Sequence, residues 1–310
     1  MRVLVTGALG FIGHHLCLHL AREGFEVFGI DNLSRGREDR ISLLRGEGVE
    51  VNVADVRDLG LLTEYMTKVR PEVVIHLAAL ISVEESFEKP LLYEDVNVRG
   101  TVTTVLASNR AGAWRFVYVS SAAVYGNPRY LPVSEEHPTE PLSPYGVTKL
   151  AGEYFSKTLF RGEGHTIILR LFNVYGPGQN PEYAGVITKF MERLVKNEPP
   201  VIYGDGGQTR DFIHVADVVQ AIEKALITRV SNDIILNIGT GRPTSVNELA
   251  HKMIKAFGAN VKPIYTSPRK GDIRHSYADI TKAKKLLSWE PKIGLDEGIR
   301  ELIKYGKSTR

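Results

Sequence analysis

Arg2-Val3-Leu4-Val5-Thr6-Gly7-Ala8-Leu9-Gly10-Phe11-Ile12-Gly13 opens the chain, and the fold is decided there. Arg2 to Thr6 is a short β-rich run, after which Ile12, Leu16, Cys17 and Leu20 recur at helical spacing. A strand therefore passes into a helix across a Gly-x-x-Gly-x-x-Gly loop. Gly7 permits the tight turn, Gly10 lets backbone approach a pyrophosphate, and Gly13 lets the helix pack close against the strand. An isolated glycine triplet says little. Between a strand and an amphipathic helix it marks a dinucleotide site, and Phe11 and Ile12 belong to that site.

Further along, Phe25 to Ile30 reads as a second strand ending at Asp31, where an acidic residue takes the adenosine ribose hydroxyls. A carboxylate there repels a 2′-phosphate and favours NAD, while Arg35 and Arg37 stand near enough to accept a phosphate. Val49 to Val53, Val73 to His76, Arg115 to Ser120 and Thr166 to Arg170 continue as strands. Helices are expected between them over Leu59 to Val69, Leu91 to Ala113 and Pro144 to about Arg161, with Val96, Thr103 and Leu106 facing inward from the second. This alternation predicts an α/β fold, a Rossmann-like doubly wound parallel sheet with ligands at the carboxyl ends of its strands. After residue 170 the chain changes to loops rich in Gly and Pro. Ser245 to Glu248 forms a capping box, and Leu295, Ile299, Leu302 and Ile303 give an amphipathic C-terminal helix.

With 310 residues the chain has room for two domains. Its 39 basic and 36 acidic residues, net +3, are spread rather than blocked, so no nucleic-acid patch is expected and the small surplus suits anionic ligands. The single Cys17 lies in an apolar helical pattern, which excludes an intrachain disulfide and fits a reducing compartment. The sequence starts directly on a strand without export features. Its longest apolar run, Val73 to Val83, is broken by His76 and falls short of the about 20 residues a membrane helix needs. The expectation is a soluble cytoplasmic protein with no membrane partner. His15 and His19 share a helix face, but no Glu general base stands between them and no metal is expected.

Ser143-Pro144-Tyr145-Gly146-Val147-Thr148-Lys149 is the second constellation. Ser143 suits an N-cap and Pro144 the first helical position, which puts Tyr145 and Lys149 one turn apart on one face. A phenol, with an ordinary pKa of about 10, is a poor base at neutral pH, and a nearby cation makes it usable. Ser121, ending the preceding strand, can hydrogen-bond the same reacting oxygen. With the glycine loop, these residues resemble the extended short-chain dehydrogenase/reductase family, and within it the nucleotide-sugar epimerases most closely, from Met1 to about Gly294.

The resemblance implies Ser121, Tyr145 and Lys149 as catalytic residues and NAD as cofactor, with Lys149 also anchoring the nicotinamide ribose. It places Asn32 and Ser34 beside Asp31 around the adenosine ribose, Asp55 and Val56 at the adenine edge, and Leu77, Ala78 and Ala79 in the exit loop of the fourth strand. For Asp55 a capping turn is an equal reading. Asn97 matches a family residue inside the long helix and reads as structural. Residues 1–170, with 211–240 returning as a helix from Ile213 to Leu226 and a strand from Ile234 to Ile238, would bind NAD. Residues 171–210 and 241–310 would form a smaller α/β lobe for a UDP-sugar. A homodimer through the helices near 91–113 and 144–161 is also implied.

On the substrate side the family pattern points to Ser82 near the sugar and Asn173 on the diphosphate or sugar. It also points to Val186 in a helix whose amides suit phosphate, and to Val201 and Tyr203 beside the uracil. Arg210 would clamp the diphosphate, with an ion pair to Asp211 as its second reading. Arg269 would take phosphate, Asp272 the uridine ribose, and Ser276 would form a sugar wall small enough to admit an acetamido group. Ile81 stands where some epimerases carry Lys. Dehydratases and decarboxylases of this family carry Asp-Glu or Glu directly after the Ser/Thr, where this chain has Ala122 and Ala123. Methyl groups carry no protons, so C4 epimerisation of UDP-hexoses is expected. UDP-glucuronate 4-epimerisation and a non-catalytic NAD-binding sensor are the alternatives.

Overall fold

The computed structural model describes residues 1–180, 185–268 and 273–308. Strand β1 (Arg2–Thr6) enters the glycine loop and α1 (Phe11–Arg22) leaves it. The alternation continues through β2 (Glu26–Asp31), α2 (Asp39–Gly46), β3 (Glu50–Val53), α3 (Leu59–Val69) and β4 (Val73–His76). Next come α4 (Val83–Glu88), α5 (Pro90–Tyr93), a π-helical segment (Glu94–Arg99), α6 (Gly100–Arg110) and β5 (Arg115–Ser121). A 3₁₀ turn (Ala122–Tyr125) and a long loop then lead to α7 (Pro144–Leu159) and β6 (Thr166–Leu171). Shorter strands follow: β7 (Asn173–Tyr175), then after α8 (Val186–Val195) β8 (Val201–Tyr203), β9 (Thr209–Arg210) and β10 (Phe212–His214). The chain closes with α9 (Val215–Ile227), β11 (Ile234–Ile238), β12 (Thr244–Ser245), α10 (Val246–Phe257), β13 (Ile264–Thr266), α11 (Thr281–Leu287) and α12 (Leu295–Ser308).

A seven-stranded parallel sheet in the order β3-β2-β1-β4-β5-β6-β11 forms the frame. The order reverses between β1 and β4, which is where a doubly wound sheet opens its ligand crevice. Helices cover both faces, so the central strands bury both of their sides and read as apolar runs, while the edge strand β3 is exposed at Glu50 and Val53. Val3 and Val5 pack with Leu16, Val218 and Ile222 on one face, and Leu4 with Leu62, Met66 and Val105 on the other. A separate core of Ile187, Phe190, Leu194, Leu249, Met253, Ile299 and Leu302 holds the C-terminal lobe. The strand expected at residues 234–238 does add to this sheet beside β6, and α9 lies against α1.

Two elements differ from expectation. The helix from Leu91 to Ala113 is broken by the π-helical segment and ends at Arg110, and Leu106 is only half-buried while Val105 takes the core position. The segment expected as helix from Ile213 begins as strand β10, paired to β7, and turns helical only at Val215.

Candidate active site

The glycine loop leaves no room for side chains. Gly7 has φ +71, and a Cβ there would stand 2.9 Å from the backbone nitrogen of Ala78. A side chain at Gly13 would run into the Gly7 carbonyl. Gly10 is the N-cap of α1 and has no side chain with which to cover the first-turn amides, which suits an anion. The cleft above holds about 1090 Å³, part of it open to solvent. Of the expected cofactor residues, Gly7, Gly10, Phe11, Ile12 and Gly13 line it, as do Asp31, Asn32, Ser34, Val56, Leu77, Ala78 and Ala79.

Asp31 is pinned at the end of β2, accepting from Leu9 N at 3.0 Å and Leu33 N at 2.8 Å. Burial pushes its carboxyl up, and those two amides together with the Arg40 charge oppose the shift. Asp55 opens the turn before α3, its carbonyl accepting from Asp58 N at 3.1 Å. It does not cap α3, a role taken by Asp58, nor does it line the cleft. Its carboxylate is taken by Arg57, through backbone and guanidinium, and by Asn32 Nδ2 at 2.8 Å, which holds its pKa well below the usual range. The arginines considered for a 2′-phosphate both meet carboxylates: Arg35 meets Glu85, and Arg37 meets Asp39.

At the end of β5, Ser121 Oγ accepts from Ala123 N at 3.2 Å and lies close enough to Tyr145 to act on its phenol. Ser143 caps α7 by accepting from Gly146 N at 3.1 Å, with Pro144 in the first turn. Tyr145 packs with Leu80, Tyr93, Val96 and Ala123. Burial raises its phenol above the ordinary value, and Ser121 opposes this. Lys149 is one turn further on, but its ammonium lies over the ring of Tyr118, 4.6 Å from the centroid. Burial lowers it to about 7, against the pull of Glu153. The expected lowering of the Tyr145 pKa by Lys149 is therefore not what acts on the phenol in this structure.

Around this pair lies a buried frame that the sequence did not announce. Glu153 receives Arg170 Nε and Nη2 at 2.9 and 2.7 Å and the Ser120 hydroxyl at 2.5 Å. Asn97, in the π-helical segment, accepts from Leu80 N at 2.8 Å and donates to Leu80 O and Thr148 Oγ1, both at 3.0 Å. It thus ties the cleft wall to α7. His76, held neutral by a pKa lowered through burial to about 3, bridges Thr6 and Thr101.

The histidines of α1 serve as ties between elements: His15 Nε2 lies 2.9 Å from Pro177 O, and His19 Nε2 lies 2.9 Å from Glu223. Arg40 is buried and donates to Leu9 O at 2.8 Å and to Gly178 O at 2.5 Å, which fixes the loop that brings Gln179 and Asn180 to the cleft. These two residues, together with Glu85 and Val96, are cleft residues that no local pattern announced.

On the substrate side, the Ser82 hydroxyl is occupied structurally. It caps α4 by accepting from Glu85 N at 3.1 Å. Asn173 is exposed at the start of β7, and Val186 begins α8. Val201 and Tyr203 lie on β8, where Tyr203 is exposed beside Thr266 of β13. Arg210 is half-buried on β9, its Nη1 donating to Thr209 O. Asp211, its alternative partner, spends its carboxylate oxygens on Thr240, Gly241 and Ala278. Ser276 is half-buried and its N–H donates to Thr209 O. Arg269 and Asp272 lie outside the described residues.

A glycine-loop cleft at the switch point of a doubly wound sheet, flanked by the half-buried Ser121 and the buried Tyr145 and Lys149, defines the short-chain dehydrogenase/reductase class. The family model described as GDP-mannose 4,6 dehydratase matches residues 4–302. A Methanocaldococcus jannaschii protein with the provisional name UDP-glucose 4-epimerase is 43% identical over 310 residues, 99% of each chain. The structure of UDP-glucose 4-epimerase from Thermotoga maritima with UDP-glucose is 35% identical, with a TM-score of 0.92 over 100% of this chain and 99% of that one. The Thermus thermophilus UDP-glucose 4-epimerase complex with NAD is 33% identical, with a TM-score of 0.89 over 100% of both. The chain belongs to the nucleotide-sugar epimerase and dehydratase family of extended short-chain dehydrogenases/reductases.

Proposed function

We propose that the protein interconverts UDP-glucose and UDP-galactose by epimerisation at C4. The observation that carries this is the set of Ser121, Tyr145 and Lys149 beside the glycine-loop cleft, with Ala122 and Ala123 directly after the serine. The cleft fits NAD, because its glycines leave bare backbone where a pyrophosphate must approach and Asp31 is fixed at the ribose end. When bound, NAD supplies the hydride acceptor and donor for the sugar carbon.

In this proposal Tyr145 takes the C4 hydroxyl proton and later returns it, and Ser121 hydrogen-bonds the same oxygen. Lys149 supplies positive charge and holds the nicotinamide ribose. Ala122 and Ala123 cannot carry a proton, so nothing after the serine serves dehydration or decarboxylation. Asn173, Val186, Val201, Tyr203 and Arg210, with Arg269 and Asp272, keep the nucleotide in place while the sugar turns. Ser276 walls the sugar and leaves room for the N-acetylated pair. Residues 1–170 and 211–240 serve the cofactor, and 171–210 with 241–310 serve the nucleotide sugar.

The working unit in this proposal is a homodimer. Leu91 is 82% and Tyr154 59% exposed, and with Phe87, Val147 and Phe155 they put apolar side chains on the adjoining α4, α5 and α7. Among the described residues no helix is long and apolar enough to cross a membrane, and the single buried Cys17 fits the reducing cytoplasm, where we place the reaction.

The test is to give NAD-loaded protein UDP-galactose, UDP-glucose and the two acetylated analogues. Approach to one equilibrium from both sides supports the proposal. Protein that holds NAD yet converts none of them sinks it and leaves the UDP-glucuronate 4-epimerase and sensor readings, which a trial with UDP-glucuronate separates.

A further inference from the structure

An ion pair joins two segments that line the cofactor cleft, one following β2 and the other following β4, the strands on either side of β1. Arg35 stands in the loop after β2, Glu85 in the first turn of α4, and both line the cleft. Arg35 Nη2 donates to both Glu85 carboxylate oxygens, at 2.7 and 2.8 Å. Glu85 is also held from its own side. Lys89 Nζ donates to Oε1 at 3.0 Å, the hydroxyl of the fully buried Tyr93 donates to Oε2 at 3.1 Å, and the Glu85 N–H goes to Ser82 Oγ. The carboxylate is therefore set in place by the fold, and the arginine is the partner that reaches it from the other segment. With side chains 33% and 15% exposed, the pair is screened less than one in open solvent.

We propose that Arg35 and Glu85 form a clasp that gates entry and departure of the dinucleotide, a role that rests on the cleft being the NAD site. The pair joins protein to protein and asks for no contact with the cofactor. Both residues are positioning residues that act on the path and not on the bound state. Opening must precede passage in either direction, so the clasp slows association and release by one common factor and leaves Kd unchanged. Such a gate suits a cofactor that finishes each turnover in the form in which it began and has no need to exchange.

The test is stopped-flow measurement of NAD association and release on the full chain, for wild type, Glu85→Gln, Arg35→Met and Arg35→Lys. Both rates are expected to rise about fivefold in Glu85→Gln and Arg35→Met, equivalent to about 1 kcal/mol, with Kd moving less than about twofold. Arg35→Lys keeps the charge and should recover most of the slow exchange. Added salt should speed wild type but not Arg35→Met. Glu85→Gln also disturbs Tyr93 and Lys89, so Arg35→Met decides. Release from Arg35→Met at the wild-type rate overturns the clasp, as does a faster release matched by an equal rise in Kd, which would mean direct contact with the cofactor. Wild type that binds no NAD overturns the assignment of the cleft instead.

Discussion

Tyr145 sits under two opposing influences, burial that holds its phenol up and Ser121 that draws it down. Under the proposed role, Tyr145→Phe removes only the phenol oxygen, so turnover should fall at least about 100-fold while NAD titrates as in wild type, since a positioned base contributes about 10²- to 10⁴-fold. Lys149 has a different signature, because its burial lowers its pKa from 10.5 to about 7. Between those two values the unfolded chain carries a proton that the folded chain has lost, so stability contributed at this site rises with pH across the window. Below about 7 both states are protonated, and the burial cost is present in full, on the order of a few kcal/mol. Lys149→Met should therefore be more stable than wild type at pH 6.5, and the difference should shrink by pH 9.5. Thermal unfolding of both proteins at the two pH values checks this. Equal differences at both pH values would mean that the lysine is not depressed.

At the scale of elements, the buried Glu153–Arg170 pair fastens α7 to β6, and Ser120 of β5 completes it. Removing one partner leaves an uncompensated buried charge, so Glu153→Ala should lose about 3–5 kcal/mol in denaturant unfolding. Replacing both residues by apolar ones should recover much of that loss. Where chemistry depends on neighbours in the chain, the sequence was readable. The glycine loop, the capped start of α7 and the strand ends at Asp31 and Ser121 are local patterns with local causes, and α3 and β4 fall where periodicity puts them. Asn97 was visible as a residue but not as a tie, because its partners Leu80 and Thr148 come together only through packing. Gln179 and Asn180 reach the cleft because Arg40 and His15 fix the loop beside them, a contact no spacing encodes. Ser82 carries a second, local duty: a serine before a short helix is a cap, and its hydroxyl accepts from Glu85 N.

For the whole molecule, the exposed apolar residues on α5 and α7 should be covered by a second copy. The double variant Leu91→Glu/Tyr154→Glu should sediment as a monomer under conditions where wild type is a dimer. A monomeric wild type would contradict the proposed assembly. The central claim joins the two parts of the chain, a cleft that keeps its dinucleotide and a lobe that keeps the nucleotide while the sugar turns. It is tested most directly by the fate of one hydrogen. UDP-galactose carrying deuterium at C4 is incubated with NAD-loaded protein in ordinary water, and the C4 label of the UDP-glucose formed is measured. Hydride removed and returned within one active site requires essentially all the label at C4 of the product, with no redox change in solution. UDP-glucose that has lost its label to the medium, or a dehydrated product, would contradict the mechanism.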